Sequence, residues 1–226
     1  MSTTVMALQA RELYRFFRAG EEETQALRGV SLCVRRGETV AVVGPSGAGK
    51  STLLGCLAGL DEPSGGDVRI DGVRISHRPE AERARLRARG IGVLLQSSNL
   101  VAHLSVTDNV RLARSAVRRA TTVTVKDLLE QVGLAGRARA LPRQLSGGEL
   151  ARAGLAVAVA NSPGVLLADE PTGELDGDSE RLVLELLRSR ADAGCGVLIV
   201  THSAEAVRVA DRVITMADGR VHDDGC

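Results

Sequence analysis

The chain lacks the features of several protein classes. Its 29 Lys and Arg residues are balanced by 28 Asp and Glu residues, and the net charge of +1 does not favour nucleic acid as a partner. No segment approaches the ~18 consecutive apolar residues of a membrane span. Residues 1–9 have neither a basic segment nor a long apolar stretch, so no secretory signal is predicted there. With 226 residues, 44% of them hydrophobic, the chain is long enough for one core, or for one core with a small inserted lobe.

Cysteine, lysine and aromatic residues are scarce. The four cysteines are scattered and form no C-x-x-C pair, which favours reduced thiols in a cytosolic protein over a metal site or a disulfide framework. Lys50 and Lys126 are the only lysines, so arginine supplies nearly all the positive charge. The three aromatic residues, Tyr14, Phe16 and Phe17, lie in one short segment.

Hydrophobic patterns divide the chain into an α/β core and a helical segment. Strands are predicted at Leu32–Val34, Thr39–Val43, Asp67–Ile70, Val73–Ile75, Ile91–Leu95, Gly164–Ala168 and Gly196–Val200. Helices are predicted at Lys50–Leu57, Glu80–Arg89, Val106–Ala113, Val125–Val132, Gly148–Ala160, Asp178–Ala191 and Ala204–Ala210. Hairpin turns are predicted at Asp71-Gly72 and Asp218-Gly219. Helices dominate between about 97 and 160, which indicates a lobe inserted into a core whose sheet is mostly parallel.

A glycine-rich segment, Gly44–Ser51, carries the strongest local signal. It matches G-x-x-x-x-G-K-[ST] and lies between a predicted buried strand and a predicted helix, as this phosphate-binding motif requires. Its N–H groups and the helix dipole can surround a phosphate, and we expect Lys50 to reach the β- and γ-phosphates while Ser51 holds Mg²⁺. The alternative is a glycine-rich turn with an incidental lysine. The predicted phosphate-binding residues are Gly44, Pro45, Ser46, Gly47, Ala48, Gly49, Lys50, Ser51 and Thr52.

Two adjacent carboxylates, Asp169 and Glu170, end a predicted buried strand. A strand end beside a phosphate loop is where an α/β sheet binds its ligand. Asp169 is therefore predicted to complete the cation site that Ser51 begins, and Glu170 to act as the general base for an attacking water. The alternative is that both carboxylates cap the following turn.

Gln96 and His202 follow two other predicted strands. Gln96 could contact the metal or the attacking water, and His202 could donate a hydrogen bond to a γ-phosphate oxygen. The alternatives are a surface glutamine and a histidine without a catalytic role. Among the aromatic residues, Phe17 is predicted to stack on a base, with Tyr14 second, at about 1–3 kcal/mol. Packing of the rings at the edge of the sheet is the alternative.

The segment Leu145–Glu149, with the sequence Leu-Ser-Gly-Gly-Glu, begins a predicted helix. The Ser146 hydroxyl and the N–H groups of Gly147 and Gly148 can therefore donate to a γ-phosphate. Because this helix belongs to the helical lobe, we expect these donors to lie far from the phosphate loop of the same chain.

These motifs together resemble the ATPase subunits of ABC transporters, over nearly the whole chain. The motifs occur in the order and rough spacing found in such subunits. They are the phosphate loop, Gln96, Leu145–Glu149, Asp169-Glu170, Gly173–Asp176 and His202. Three segments are similar to the subgroup of lipoprotein-releasing and macrolide-export ATPases: Tyr14–Leu32, Cys56–Gly72 and Leu167–Asp176. The resemblance implies one nucleotide-binding domain at 6–226. Its expected fold is an α/β P-loop NTPase (RecA-like) core with a mostly parallel sheet, an N-terminal antiparallel β subdomain and an α-helical subdomain inserted at about 97–160.

The resemblance also implies a head-to-tail homodimer or heterodimer that binds two ATP molecules with Mg²⁺. Each ATP would lie between the phosphate loop of one subunit and the signature of the other, formed by Ser146, Gly147, Gly148 and Glu149. Asp176 would communicate across the interface. The predicted catalytic residues are Lys50, Gln96, Glu170 and His202, and the predicted metal ligands are Ser51, Gln96 and Asp169.

The implied partner is a separate integral membrane permease, contacted from the cytoplasmic face through a groove near Gln96–His103. Export or extraction of a lipophilic or peptide-like substrate is expected, and nucleic acid is not an expected partner. One alternative is a division-type ABC ATPase that transmits force to cell-wall enzymes without transport. Others are a soluble ABC ATPase acting on DNA or ribosomes and a nucleotide-binding module without turnover.

The sequence departs from the family pattern at four places. Phe17 replaces the usual tyrosine, and Glu149–Arg152 replaces a glutamine-rich continuation of the signature. Glu174 replaces a small or amide residue, and Ser203 follows His202 where aspartate is common. None of these changes removes a catalytic group, so an active ATPase is expected.

Overall fold

The computed structural model describes residues 6–19, 22–96, 99–117 and 123–222, and its strands form two sheets. The strands are β1 (Met6–Ala19), β2 (Glu22–Arg35), β3 (Thr39–Val43), β4 (Gly65–Ile70), β5 (Val73–Arg74), β6 (Ile91–Leu94), β7 (Val165–Asp169), β8 (Gly196–Val200), β9 (Arg212–Ala217) and β10 (Arg220–His222). The smaller sheet is antiparallel, with the order β2-β1-β4-β5. The larger has the order β10-β9-β3-β8-β7-β6, and its strands are parallel except for β10.

The helices alternate with strands of the core, and three of them lie together between β6 and β7. They are α1 (Lys50–Leu57), α2 (Glu80–Gly90), α3 (Val106–Ser115), α4 (Val125–Gln131), α5 (Gly147–Ala158), α6 (Gly177–Asp192) and α7 (Ala204–Val209). Ser105, Thr124 and Ser146 begin α3, α4 and α5, and each side chain accepts a bond from the N–H three residues later. These bonds satisfy donors that a helix start leaves free. Within the described ranges, no helix has the length and apolar character needed to cross a membrane.

Two hydrophobic cores lie on opposite faces of the larger sheet. The first lies between the two sheets and includes α1, and the second lies beneath α3–α6. Along β7, Val165 and Leu167 belong to the first core, whereas Leu166 and Ala168 belong to the second. Because both faces are buried, the parallel strands are continuous apolar runs, which is why the sequence predicted them well.

The predicted hairpin turn at Asp71-Gly72 is confirmed. Both residues have positive φ, 48° and 78°, as a tight two-residue turn between antiparallel strands requires. The turn at Asp218-Gly219 joins β9 to β10 with similar angles, 48° and 74°.

Most predicted elements form with ends shifted by at most two residues, and the expected N-terminal antiparallel sheet is present, but the local pattern identified only Leu32–Val34 of its first hairpin. The prediction missed β1, and β2 begins ten residues before Leu32. In β1, Leu8 and Ala10 alternate towards the core, but the register shifts between Ala10 and Leu13, where Glu12 has a φ of 48°. This bulge moves the next core residue to Leu13 and breaks the two-residue period on which the prediction depended.

Parts of several predictions lie outside the described residues. These parts are residues 1–5 of the N-terminal segment, 97–98 and 118–122 of the helical lobe, and Cys226 at the C-terminus. Two other cysteines, Cys56 and Cys195, have thiols whose pKa burial raises to about 12 and about 11.

Candidate nucleotide-binding site

The phosphate loop predicted from the sequence connects β3 to α1. Gly44, Gly47 and Gly49 have φ angles of 154°, 80° and 96°, which side chains disfavour. A Cβ atom on Gly44 would lie 2.0 Å from the carbonyl oxygen of Met216, and one on Gly49 would lie 2.5 Å from that of Ala26. Glycine is therefore required where the loop packs against β9 and β2.

Lys50 is buried at the base of the loop, with 8% of its surface exposed. Its Nζ donates to the carbonyl oxygens of Gly44 at 2.7 Å and Pro45 at 3.0 Å, and it lies 3.3 Å from Nε2 of His202. An ammonium group only donates, so any hydrogen bond between these two groups has Lys50 Nζ as its donor. Lys50 thus joins the loop to the end of β8.

Asp169 lies at the end of β7, beside Val200 of β8. Burial raises the pKa of Asp169, the nearby charge of Glu170 adds to this effect, and a hydrogen bond with the Ser51 side chain opposes it. The hydroxyl and the carboxylate predicted to hold a cation are therefore in contact at the start of α1. Both supply the oxygen ligands that Mg²⁺ prefers.

Glu170 and His202, from two separate strand ends, are in direct contact. The His202 main-chain N–H donates to Oε2 of Glu170 at 3.1 Å, and His202 Nε2 lies 3.5 Å from Oε1. Glu170 has a φ of 44°, a strained value of the kind that persists where the surroundings enforce it, often at functional sites. Its main-chain N–H donates to the Val200 carbonyl oxygen at 2.9 Å, which fixes this conformation.

An open groove of about 770 Å³ brings these residues together. Loop residues 46–52 line it, as do Gln96, Asp169, Glu170 and His202. The separate strand-end predictions therefore converge on one cavity.

Sequence reasoning missed the part of the groove that β2 forms. Thr24, Gln25, Ala26 and Arg28 line this part of the groove. The Arg28 main-chain N–H donates to the Gly219 carbonyl oxygen at 2.8 Å, so the contact joins segments almost 200 residues apart. No phosphate-binding or catalytic motif covers these residues, and the tertiary fold places them beside the loop.

The aromatic segment lies near this end of the groove. Phe17 pairs with groove-lining Thr24 in the β1–β2 register, and the residue is 42% exposed. The Arg15 guanidinium lies 4.6 Å from the ring centroid and covers one face. Tyr14 packs against Gly29 of β2. A Cβ atom on Gly29 would lie only 2.9 Å from the Tyr14 hydroxyl oxygen.

The segment Leu145–Glu149 begins α5 with a reciprocal capping box. The Glu149 N–H donates to Ser146 Oγ at 3.3 Å, and the Ser146 N–H donates to Glu149 Oε2 at 3.0 Å. Arg137 Nε donates to the other carboxylate oxygen at 2.9 Å. The bond from the Ser146 N–H, followed by the bond from Arg137, lowers the pKa of Glu149. Both oxygens of Glu149 thus fix the start of the helix.

This segment does not line the groove of its own chain. Among the residues that the structure describes, those lining the groove include none of 145–149. Gly147 instead lines a separate cavity of about 220 Å³, which also reaches Gln96 and Glu170. The donors of the first turn of α5 are therefore outside the groove that contains the phosphate loop.

Asp176 begins α6 beside the start of α5. Its Oδ1 accepts from the Ser179 N–H and its Oδ2 from the Ser179 hydroxyl, both at 2.9 Å, and these bonds lower its pKa. A Cβ atom on Gly148 would lie 2.5 Å from Ser179 Oγ, so the two helix starts pack closely. Glu174, in the preceding loop, is exposed.

The glycine loop, Lys50 and the carboxylates of Asp169 and Glu170 line one groove at the ends of parallel strands. This arrangement is that of an enzyme that hydrolyses nucleoside triphosphates. The protein-family model described as ABC transporter matches residues 27–173. The chain therefore belongs to the ABC transporter family, and it is an ATP-binding cassette that hydrolyses ATP.

Individual relatives agree with this assignment. The chain is 42% identical over 222 residues to the lipoprotein-releasing system ATP-binding protein of Bordetella pertussis, covering 96% of each chain. It is 40% identical over 223 residues to the macrolide export ATP-binding/permease protein of Rhodopirellula baltica, covering 96% of this chain and only 33% of that protein. The chain thus spans about a third of the second relative.

A solved structure has the same fold. It is the dimeric structure of an ATP-binding cassette in a post-hydrolysis state bound to ADP and Pi. The TM-score is 0.88 at 33% identity, and the match covers 96% of this chain and 97% of that chain. The predicted fold class, with its antiparallel sheet, parallel sheet and helices between β6 and β7, is confirmed.

Proposed function

We propose that this chain forms a head-to-tail dimer in which each ATP is shared between the groove of one subunit and the first turn of α5 of the other. One observation carries the proposal: Ser146, Gly147 and Gly148 begin a capped helix, yet none of them lines the groove of the same chain. The first N–H groups of a helix lack partners within it and attract anions. A second copy would bring these donors to the γ-phosphate, and the solved cassette of the same fold is a dimer.

Each predicted residue of the groove has a proposed role in binding the nucleotide. Lys50 would bind the β- and γ-phosphates, and residues 44–52 would surround them with main-chain N–H groups. Bound Mg²⁺ would neutralise phosphate charge, held by Ser51, Asp169 and Gln96. Phe17 would offer its free face to the adenine base.

Glu170 would accept a proton from the attacking water, and His202 would donate to the γ-phosphate. The hydrogen bond from the His202 main-chain N–H to the Glu170 carboxylate holds the two residues side by side in the groove. In the second subunit, Glu149 would act indirectly, by fixing the start of α5 through Ser146 and Arg137. Asp176 would act through the close packing of the starts of α6 and α5.

The nucleotide-binding domain would extend over 6–226, with its helical subdomain at about 97–160. The dimer would lie at the cytoplasmic face of the membrane and drive a separate permease through a surface near Gln96–His103. Relatives named as a lipoprotein-releasing ATP-binding protein and as a macrolide export ATP-binding/permease protein support this arrangement. They also favour export or extraction of a lipophilic or peptide-like substrate.

Mixing two inactive variants tests the shared site. Lys50→Ala removes the phosphate lysine, and Ser146→Arg removes a donor of the signature. Each variant alone should hydrolyse almost no ATP. A mixed dimer keeps one intact site, so an equimolar mixture should recover up to about one quarter of the wild-type sites.

The matched control mixes Lys50→Ala with the double variant Lys50→Ala/Ser146→Arg. No intact site can form in this mixture, so no activity should return. Circular dichroism should confirm folding, because Ser146→Arg also removes a helix cap worth about 1 kcal/mol. Wild-type turnover by Ser146→Arg alone would contradict the shared-site proposal.

A further inference from the structure

Glu180, in the first half of α6, accepts two hydrogen bonds from outside its helix. The Thr172 hydroxyl donates to Oε1 at 3.0 Å, and the Ser203 hydroxyl donates to the same oxygen at 2.6 Å. Thr172 is buried and lies two residues after Glu170. Ser203 is the residue immediately after His202. A single carboxylate oxygen thus joins the two segments that carry the proposed catalytic pair.

These bonds form a second link, parallel to the direct contact of the catalytic pair. The first link is the bond from the His202 N–H to Glu170 at 3.1 Å. The second runs from Thr172 through Glu180 to Ser203, and it is anchored on α6. Because α6 is a regular helix of 16 residues, it provides a rigid support for both loops. Glu180 itself does not line the nucleotide groove.

Ser203 is chemically matched to Glu180. Its hydroxyl oxygen accepts from the N–H groups of Glu205 and Ala206, both at 3.1 Å, and thereby caps α7, while its proton goes to Glu180. A hydroxyl can donate once and accept twice, whereas an ionised aspartate only accepts. Aspartate, common at this position in ABC ATPases, could cap α7 but would place a second negative charge against Glu180.

We propose that Glu180 is a positioning residue for ATP hydrolysis, which sets the separation of Glu170 and His202 through Thr172 and Ser203. The proposal rests on the catalytic roles proposed for Glu170 and His202. The proposal also explains the serine at position 203. The carboxylate of Glu180 on α6 accepts a hydrogen bond from residue 203, so residue 203 must be a donor.

The first experiment compares Glu180→Gln with Glu180→Ala in steady-state ATP hydrolysis. Because both bonds reach one oxygen, the amide oxygen of glutamine can accept both, and Glu180→Gln should keep kcat within about threefold of wild type. Glu180→Ala should lower kcat about tenfold or more while KM for ATP changes less than about twofold. A structural role alone would instead lower the active fraction of both variants in line with their thermal midpoints. Equal kcat values for the two variants and wild type would overturn the proposal.

The second experiment uses position 203, where aspartate and asparagine have the same size. Ser203→Asn keeps an N–H donor for Glu180 and should retain most activity, whereas Ser203→Asp should lower kcat about tenfold. Adding Glu180→Gln to Ser203→Asp provides an amide donor and removes one charge, so kcat should return to within about threefold of wild type. If Glu180→Gln gives no recovery in the Ser203→Asp background, the proposed match is wrong.

Two further variants separate this proposal from the proposed function. Glu170→Gln and His202→Ala should each abolish most turnover. If they do not, the catalytic assignment fails, and the positioning role fails with it. If they do, but Glu180→Ala and Ser203→Asp hydrolyse ATP at the wild-type rate, only the positioning role is wrong.

Discussion

Gly148 has a packing requirement that is separate from any contact with ATP. A Cβ atom at this position would lie 2.5 Å from Ser179 Oγ and 2.8 Å from Ser179 Cβ, closer than real Cβ contacts allow. The neighbouring Gly147 differs, because its Cβ would lie 3.6 Å from a Leu175 methyl group, an ordinary van der Waals distance. Gly148→Ala and Gly147→Ala therefore form a matched pair within one helical turn.

The expected difference in stability follows from these distances. Both substitutions gain up to about 1 kcal/mol of helix propensity, although less in a first turn. Only Gly148→Ala must displace the start of α6, and overpacking of this kind costs roughly 1–3 kcal/mol. The two variants should therefore differ by about 1–3 kcal/mol in the free energy of unfolding. In a chain of this size each kcal/mol shifts the thermal midpoint by about 2–4 °C.

The assay is thermal or urea unfolding of the purified chain without nucleotide, so contacts with ATP cannot contribute. Gly147→Ala should be as stable as wild type or more stable, and Gly148→Ala should be less stable. Adding Ser179→Gly to Gly148→Ala removes both clashing atoms, and the cost of the alanine should become smaller in that background. If Gly148→Ala unfolds at the same point as Gly147→Ala, the packing argument is refuted.

Three further predictions concern the groove. Burial raises the pKa of Asp169 in the folded chain. The folded chain therefore binds the carboxyl proton more tightly than the unfolded chain does. As a result, the free energy of unfolding falls as the pH rises from about 4 through the raised pKa. Asp169→Asn should therefore stabilise the nucleotide-free chain to urea at pH 7.5 but not below pH 4, and a loss of stability at pH 7.5 would contradict this. Glu170→Gln should keep ATP affinity, lose about 10²-fold or more in turnover and accumulate as a dimer on size exclusion; a variant that hydrolyses normally is incompatible with a general base. Phe17→Leu should weaken ATP binding measured by calorimetry by about 1–3 kcal/mol, whereas Phe16→Leu, on the opposite face of the strand, should not, and equal effects would argue against stacking.

The predicted elements succeeded where the local pattern and the tertiary environment agree. Strand β8 is buried on both faces and begins at a glycine, so its apolar run alone gave correct bounds. The local pattern did not reveal β1, because the bulge at Glu12 changes which side of this strand faces the core. A bulge depends on pairing with a distant strand, and no local pattern reveals it.

The candidate site divides in the same way. The phosphate loop and the pair Asp169-Glu170 are local motifs, and the sequence placed them on the correct strand ends. The contribution of β2 at Thr24–Arg28 depends on packing between distant segments. The structural role of Glu149 had a visible signal, because Ser146 followed by glutamate three residues later is a capping-box pattern. From the sequence, Glu149 is interpreted only as part of the signature that contacts ATP, and not as a helix cap.

The scarcity of lysine makes this chain suited to chemical labelling. The side chain of Lys126 is 83% exposed, whereas Lys50 is buried beneath the phosphate loop. An amine-reactive reagent should therefore modify Lys126 readily and Lys50 slowly, and bound nucleotide should protect only Lys50. The ratio of the two modified peptides in a mass spectrum would report occupancy of the groove within a single sample, with Lys126 as the internal standard.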